Sequence, residues 1–343
     1  MAKKKTKKYN KSKKQIKKLA KSNPKFLVVI ISLLLVIGIV VTVIYLFNNK
    51  NNSSSSSKEV TSSSVVPSQS EMSFHFLELG NEYTGDSIYI KAGEVDILID
   101  AGSRQSSAST IKSYVDKYCL DGKLEYVIAT HADQDHISGF VGTKSAPGIF
   151  SSYKIDTLID FAKTNKDTSI YHNYVSLRDE KLSSGDIAKH YTAQDCISAN
   201  KGAKKKYELT SDITMEVLDQ KYYRESTSDE NDYSVCLLFT QGSSHYLFTG
   251  DLEKKGEESL VSLNNLPTVE LFKSPHHGSY TASTDTLLSV IKPKVVCVTC
   301  VAGSTEYTKT KENTFPSQAM IDRTSKYTSE IYVTTMSNDT DKG

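Results

Sequence analysis

The sequence has few cysteines for a chain of its length. It has five in 343 residues, too few for a disulfide framework in a large domain. Two of them form a Cys297-x-x-Cys300 pair, a spacing found in redox and zinc sites. The pair lies in the β-branched run 294–301, where residues three apart point to opposite faces of a strand. We therefore expect both thiols to pack as small hydrophobic side chains.

Acidic residues are absent from the first 25 positions, and charges of both signs are absent from the next segment. Residues 1–25 contain twelve lysines, and residues 26–47 contain no charged side chain. The 22 residues of this apolar segment, at about 1.5 Å per helical residue, cover the roughly 30 Å core of a bilayer. A buried helix would not need apolar side chains on every face. Residues 26–47 are therefore predicted to be a transmembrane helix.

The lysines before this segment determine its predicted orientation. They favour a cytoplasmic basic arm over residues 1–25, with everything after the helix outside the cell. Contact with anionic lipid is a better explanation for such an arm than nucleic-acid binding. The sequence has no Ala-x-Ala site after the apolar segment, which favours a signal anchor over a cleaved signal peptide. The predicted location is the cell membrane, crossed once, with the C-terminal domain extracellular.

Apolar residues become scarce after the predicted helix. Residues 48–72 are rich in serine and are predicted to be a flexible linker. Residues 73–343 suit one domain with a sizeable core. The chain from residue 26 onward has 30 basic and 40 acidic residues, a net charge of −10, although the whole chain carries only +2. The predicted domain is therefore acidic.

One short segment holds two imidazoles and two carboxylates. It reads His131-x-Asp133-x-Asp135-His136 and follows the apolar run 124–129. Imidazole and carboxylate bind first-row divalent metals, and metal-bound water is an effective nucleophile near neutral pH. A solvent-facing polar turn is the alternative for such a motif on its own.

Three other apolar runs end in side chains of the same kind. Asp100 and Asp251 each follow one run, and His276-His277-Gly278-Ser279 follows another. Ligand-type side chains at four predicted strand ends are typical of a metal site at one edge of a sheet sandwich. This repetition favours a metal site over a polar turn.

The periodicity of apolar residues predicts strands separated by helices. Strands are predicted at 74–79, 87–92, 95–99, 124–129, 155–159, 215–218, 234–240, 246–249, 269–272, 295–301 and 330–335. Helices are predicted at 107–119, 187–198, 253–263, 284–291 and 317–325. The polar stretch 161–206 is expected to form loops or helices near the site. This order predicts layered sheets with helices outside them.

These motifs resemble those of the metallo-β-lactamase superfamily and, within it, the hydrolase domain of the competence-protein ComEC family. The resemblance includes the His131 motif, Gly250-Asp251, the paired histidines and Gly85-Asp86-Ser87, and it extends from about residue 73 to the C-terminus. Asp133 stands where the superfamily usually has histidine, as in the ComEC-like branch. The resemblance implies an α/β (α+β) fold, an αββα sandwich, preceded here by one transmembrane helix.

The resemblance also implies two divalent metal ions, zinc or manganese. His131 and Asp133 would hold the first ion, while Asp135, His136 and His277 would hold the second, with Asp251 bridging. Asp100 is similar to a residue that orients a ligand through a hydrogen bond. His277 is favoured over His276 as the ligand, because both rings of such a turn cannot easily reach one metal. Residues expected to support ligands or contact substrate are Asn231, Ser234, Lys273, His276 and Ser279.

Two departures from the family pattern affect the expected site. A further histidine of the first metal position is missing, and Asn231, Asp232 and Ser234 stand in that region. The first position is therefore expected to be rich in oxygen ligands and weak. A family His-Pro element near the C-terminus is replaced by Asn313-Thr314-Phe315-Pro316, so a proton donor or substrate contact is missing.

The implied function is metal-dependent hydrolysis, in which a metal-bound hydroxide attacks and Asp135 or metal-bound water transfers protons. The ComEC-like resemblance implies a phosphodiesterase or nuclease, with DNA or another phosphodiester as substrate. An acidic domain does not attract a polyanion by its overall field, although the basic stretch 201–206 would help locally. Two alternatives stay open: hydrolysis of a small ester, lactone or cell-wall-derived substrate, and a tethered binding protein with weak catalysis. The sequence identifies no protein partner.

Overall fold

The computed structural model describes residues 70–337. The predicted basic arm, the transmembrane helix at 26–47 and most of the linker lie outside this range. Within it, none of the helices combines the length and apolar character needed to cross a membrane. The backbone N–H of Ser70 donates to Asp212, and Gln241 donates to the Ser70 carbonyl. Folded structure therefore begins before the predicted boundary at residue 73.

The first of two mixed sheets has its six strands in sequence order. The first three strands are antiparallel neighbours, and the third to the sixth are parallel. The strands are β1 (Met72–Phe76), β2 (Ile88–Ala92), β3 (Val95–Ile99), β4 (Lys123–Ile128), β5 (Lys154–Asp160) and β6 (Ile187–Thr192).

The second sheet has seven strands, in the reverse of sequence order from β13 to β7. Its first four sequential strands are antiparallel neighbours, and its last four are parallel. The strands are β7 (Lys206–Glu208), β8 (Ile213–Val217), β9 (Leu237–Gln241), β10 (Ser244–Phe248), β11 (Leu271–Lys273), β12 (Val295–Ala302) and β13 (Ile331–Met336).

Helices cover the outer faces of both sheets. Tyr89 and Leu98 of the first sheet pack with helical residues in one apolar cluster. A separate cluster packs helical residues against Phe272 and Val296 of the second sheet. The helices are α1 (Ser107–Val115), α2 (Gln134–Val141), α3 (Ile149–Ser152), α4 (Ser169–Ser184), α5 (Ala193–Ser198), α6 (Lys254–Leu263), α7 (Asp285–Ile291) and α8 (Gln318–Thr324).

A third apolar cluster fills the space between the two sheets. In β2, Ile88 and Ile90 point into it, while Tyr89 between them points to the outer helices. Phe239 of the second sheet meets them from the other side. The alternation follows from the two-residue period of a strand. The described residues therefore form the mixed, two-sheet sandwich with outer helices that the sequence predicts.

One predicted element differs in type from the structure, and one helix of the candidate site was not predicted. The predicted helix 187–198 is strand β6 followed by the short helix α5. Residues Ile187–Thr192 extend because they pair in parallel with β5, and Thr192 then caps α5 by accepting from the N–H of Asp195. Helix α2 was also absent from the prediction, although it carries part of the metal motif. Pairing with β5 determines the strand at 187–192. The close approach of Gly139 to the backbone of Ala101 determines the position of α2.

The cysteines agree with the role predicted for them. All five lie within the described residues and are free thiols. Cys300 is buried in β12, and Cys297 is partly buried in the same strand. Burial raises the pKa of the Cys300 thiol to about 12, so the group is a neutral thiol at physiological pH and packs as an apolar side chain.

Candidate metal centre

Four ligand-type side chains meet where parallel strands of both sheets end. Asp135 and His136 lie in the first turn of α2, just after β4, while Asp251 follows β10 and His277 follows β11. His136 Nε2 and His277 Nε2 each lie 3.1 Å from Asp251 Oδ2. His277 Nε2 is also 3.2 Å from Asp135 Oδ2. The sequence-predicted ligands of the second metal position are therefore in place around one point.

Both imidazoles of this cluster are oriented through their other ring nitrogen. Asp100 Oδ2 accepts a hydrogen bond from His136 Nδ1 at 2.7 Å. The backbone carbonyl of Thr299 accepts one from His277 Nδ1 at 2.8 Å. A carbonyl can only accept, so the Nδ1 of His277 carries a proton and its Nε2 faces the carboxylates. Such partners fix the ring orientation of metal-binding histidines.

Asp100 is held in the conformation that allows this contact. Its φ is +58°, in the left-handed region that aspartate adopts more readily than most residues. Its two oxygens accept from the backbone N–H and the side-chain hydroxyl of Thr130, both at 2.8 Å. Asp100 thus connects the end of β3 to the loop that carries the metal motif.

The chemistry of the cluster fits a divalent cation. Neutral Nε2 atoms facing carboxylates at 3.1 Å repel unless a proton or a cation lies between them. Burial by itself lowers the pKa of His136, but Asp251 and Asp100 outweigh it and hold that pKa well above its usual range. Burial likewise raises the pKa of Asp251, but His136, His277 and Lys273 outweigh it and hold it well below. The donor set of two imidazoles and two carboxylates suits zinc or manganese.

Lys273 lies behind the cluster, not at the surface. Its side chain is 1% exposed, and its ammonium group pairs with Asp251 Oδ1 at 3.0 Å and with Asp86 Oδ2. Burial raises the pKa of Asp86, but Lys273 and His277 outweigh it and lower that pKa to about 2. Lys273 therefore holds Asp251 in place and is too deep to meet a phosphate group in this arrangement.

Asp86 completes the buried network around the histidines. Ligand atoms of Asp86, His136, Asp251 and His277 all lie within 4.8 Å of one another. Asp86 Oδ1, however, lies 3.2 Å from His277 Nδ1, on the opposite side of the ring from Asp251. Asp86 therefore contacts His277 and Lys273 directly, and it lies close enough to His136 and Asp251 to be a further candidate ligand.

The first metal position has fewer donors. His131 is fully buried, and its Nε2 has no hydrogen-bond partner among residues 70–337. Asp133 Oδ2 lies 3.5 Å from this nitrogen, and Asp133 Oδ1 pairs with Lys166. Ser234, near the place where a further ligand is missing, lies 3.5 Å from the other ring nitrogen of His131 and accepts from the backbone N–H of Asp251. The structure thus places two candidate protein donors, His131 and Asp133, at this position.

Three further predicted residues lie beside the cluster. His276 Nδ1 is 2.5 Å from Glu253 Oε1 and 3.5 Å from Asn231 Nδ2, and its backbone N–H donates to Asp251 Oδ1. Ser279 Oγ is 2.6 Å from the Thr281 hydroxyl. His276 and Ser279, but not Asn231, border a cavity of about 500 Å³, with the lining residues Asp229, Glu253, His276, Ser279, Tyr280, Thr281, Tyr307, Thr308, Asn313 and Phe315.

Tyr307 and Phe315 form an aromatic wall beside the candidate metal ligands. The Tyr307 hydroxyl donates to Asp135 Oδ2 at 2.8 Å, and its side chain is about half exposed. The Phe315 ring lies 5.6 Å from the His277 ring and 5.3 Å from the Tyr307 ring. Phe315 stands where the family has the histidine of its His-Pro element. The nearby polar contact is made by the Tyr307 hydroxyl, which donates to Asp135.

Sequence reasoning missed Asp86, Lys166 and Tyr307 as residues of the site. Asp86 is part of Gly85-Asp86-Ser87, a motif that marked similarity without indicating a role. Lys273, inside the strand before the paired histidines, could have indicated a role for Asp86, because a buried ammonium group requires carboxylate partners. Lys166 and Tyr307 lie in polar loops with no local signal.

Comparison with known proteins agrees with the sequence motifs. The family model of the metallo-beta-lactamase superfamily matches residues 80–149. ComE operon protein 3 of Bacillus subtilis is 23% identical over 248 residues, which covers 67% of this chain and 28% of that protein. Recombination protein 2 of Haemophilus influenzae is 29% identical over 111 residues, which covers 32% of this chain and 13% of that protein. The chain therefore matches only a part of each of these longer relatives.

A solved structure is also similar. The metallo-beta-lactamase fold protein YhfI from Bacillus subtilis covers 78% of this chain and 96% of its own, with 12% identity and a TM-score of 0.45. The resemblance predicted from the sequence, to the metallo-β-lactamase superfamily and its competence-protein relatives, is confirmed by the family and sequence matches.

Proposed function

We propose that this chain, similar to the metallo-β-lactamase superfamily and to competence proteins within it, is a metal-dependent hydrolase that cleaves phosphodiesters. The observation that carries the proposal is the convergence of His136, His277, Asp135 and Asp251 on one point, with both Nε2 atoms facing carboxylate oxygens. A purely structural ion-pair network would not need both imidazoles oriented from behind by Asp100 and a backbone carbonyl.

The ligands would hold the ion, and other side chains would position them. When bound, a divalent ion supplies Lewis acidity and lowers the pKa of water. His136 and His277 present their Nε2 atoms, while Asp251 is held by Lys273 and by the backbone N–H of His276. The resemblance implies a second ion beside this one, held by His131 and Asp133 at the first position.

Asp135 is better placed to bind the ion than to carry protons. Burial raises its pKa, but His277 and His136 outweigh it and hold that pKa far below the usual range. A carboxylate held this way is a weak base. Its predicted role in proton transfer stays a prediction. The Tyr307 hydroxyl donates to the same carboxylate, and this side chain also borders the cavity, where its oxygen can accept a hydrogen bond from a substrate.

The substrate class is supported by the names of the relatives. Recombination protein 2 is named for recombination, which favours DNA as the phosphodiester. The cavity beside the site is bordered by the carboxylates Asp229 and Glu253, which oppose a polyanion and favour a small, uncharged ester or lactone as the second candidate substrate. A tethered binding protein with weak catalysis is a third candidate, because the first metal position has few donors.

The proposal also includes the anchor predicted from the sequence. The lysine block and the uncharged segment 26–47 support a single membrane span, with the hydrolase outside the cell. In this arrangement the enzyme would meet extracellular phosphodiesters, including DNA.

Metal content and cleavage, measured on the same protein, test the proposed function. The full chain, stripped of metal and reloaded with Mn²⁺ or Zn²⁺, should cleave labelled single-stranded DNA. Asp251→Ala should lower cleavage by roughly 100-fold or more and reduce metal content, because it removes a ligand and leaves Lys273 without this partner. Cys297→Ala, in a strand of the same sheet, should leave both nearly unchanged.

The outcomes separate the candidates. Cleavage of a neutral ester or lactone without cleavage of DNA would favour the second candidate. Bound metal without turnover of any of these substrates would favour the binding protein. Loss of metal in Cys297→Ala but not in Asp251→Ala would place the site elsewhere.

A further inference from the structure

Lys166 contacts the first metal position from a loop of the first sheet. Its ammonium group pairs with Asp133 Oδ1, and the two side chains are 30% and 25% exposed. Apart from Asp251, which is expected to bridge the two positions, Asp133 is one of two candidate donors that residues 70–337 place at this position. The other, His131, has a buried Nε2 without a hydrogen-bond partner among the described residues. One donor is therefore ready for a cation, while the other is already paired with one.

The loop that carries Lys166 is firmly attached to the loop that carries Asp133. The buried carboxylate of Glu230 accepts from the hydroxyl of Thr164 at 2.7 Å and from the backbone N–H of Asn165 at 2.6 Å. The same carboxylate accepts from the backbone N–H of Ala132 at 3.3 Å. Glu230 thus holds both loops together, one residue away from each member of the ion pair. The contacts of Glu230 therefore fix the position of the Lys166 loop relative to the Asp133 loop.

The second position also has an ammonium neighbour on one ligand, but it has more donors of its own. Lys273 pairs with Oδ1 of Asp251, whereas Oδ2 of Asp251 faces His136 and His277. The donors that face the second position are two imidazole nitrogens and two carboxylate oxygens, one each from Asp135 and Asp251. A catalytic ion usually has three protein ligands. The second position meets that requirement with its own donors, whereas the first meets it only when Asp251 bridges.

We propose that Lys166 weakens the first metal position by holding Asp133, so that the site binds its two ions with clearly different affinities. An ion bound between Asp133 Oδ2 and His131 Nε2 would lie near the ammonium group that pairs with Oδ1 of the same carboxylate. This repulsion opposes binding at the first position more than at the second, where Lys166 acts on Asp135 less strongly than on Asp133. This inference rests on the metal centre of the proposed function and makes the chain a one-ion protein at low metal concentration.

Metal titration tests the inference without an activity assay. The metal-free full chain, titrated with Mn²⁺ by calorimetry, should bind in two steps, the second at least about fivefold weaker than the first. Lys166→Met removes the charge and keeps a long apolar side chain, so it should strengthen the weaker step by about fivefold and the tighter step by clearly less. Lys166→Arg keeps the charge and should behave as the wild type. Lys163→Met, in the same loop, is the matched control.

The titration distinguishes failure of the inference about Lys166 from failure of the proposed metal centre. Two ions bound with equal affinity by the wild type, or a weaker step that Lys166→Met does not change, would overturn the role of Lys166 and leave the metal centre intact. Absence of any Mn²⁺ binding would overturn the metal centre and the proposed function together.

Discussion

Glu257 is a buried carboxyl group that lies outside the metal centre. Its oxygens accept from the backbone N–H groups of Ser283 and Thr284 at 2.7 and 2.8 Å and from the Thr284 hydroxyl. Burial raises its pKa to about 7, although these hydrogen bonds oppose the shift. The group therefore connects α6 to the start of α7 and exchanges a proton near neutral pH.

The free energy of unfolding should consequently fall between about pH 4.5 and pH 7. In that window the unfolded chain has released the Glu257 proton and the folded chain still holds it, so rising pH favours unfolding. The full effect is on the order of 3 kcal/mol. Urea unfolding at pH 5 and pH 7.5 should show this loss in the wild type and not in Glu257→Gln. Glu258→Gln, its exposed neighbour, should keep the loss, and equal pH dependence in all three proteins would contradict the assignment.

At the residue scale, contiguous motifs were easier to predict than long-range partners. His136 and Asp135 were predicted as ligands because they share one short segment with His131. The pairing of Lys273 with Asp86 depends on contact between the two sheets, and no local pattern specifies it. The same limit applies to Lys166, whose role depends on how Glu230 holds its loop.

Secondary-structure elements were predicted well where apolar periodicity was strong. β3 has the predicted bounds, and β12 is one residue longer than predicted. The sandwich itself was predictable because strands with alternating buried faces require two layers to cover them. Helix α4 lies in the polar stretch expected to hold loops or helices, and Tyr174 is the buried residue of that helix.

Helix α2 was missed because its sequence is locally unfavourable. It is eight residues long and includes Gly139, and glycine inside a helix costs about 1 kcal/mol relative to alanine. A Cβ at Gly139 would lie 2.0 Å from the Ala101 carbonyl oxygen. The glycine allows α2 to approach the end of β3, where Asp100 reaches His136. A tertiary contact at the site therefore overrides local propensity.

At the scale of the whole molecule, charge is divided between the two ends of the chain. The first 25 residues hold twelve lysines, and the remainder has a net charge of −10. This division supports the proposed anchor, with the basic arm in the cytoplasm. The acidic domain would be a poor collector of DNA at low ionic strength, so its substrate must be recognised locally.

Protease accessibility tests this orientation. Protease added to intact cells should degrade the part of the chain from residue 73 onward and leave the basic arm intact, because the membrane shields only the cytoplasmic side. An antibody tag at each end would report the two fragments. Survival of the C-terminal domain in intact cells, with degradation after lysis, would contradict the proposed orientation.

The central claim is that a divalent ion binds between His136 and His277. Anomalous X-ray diffraction at the absorption edge of manganese, from crystals of the chain loaded with Mn²⁺, tests it most directly. The account predicts a strong peak bounded by His136 Nε2, His277 Nε2, Asp135 and Asp251, and a weaker peak beside His131 and Asp133. Loaded crystals with no anomalous peak between His136 and His277 would contradict the claim.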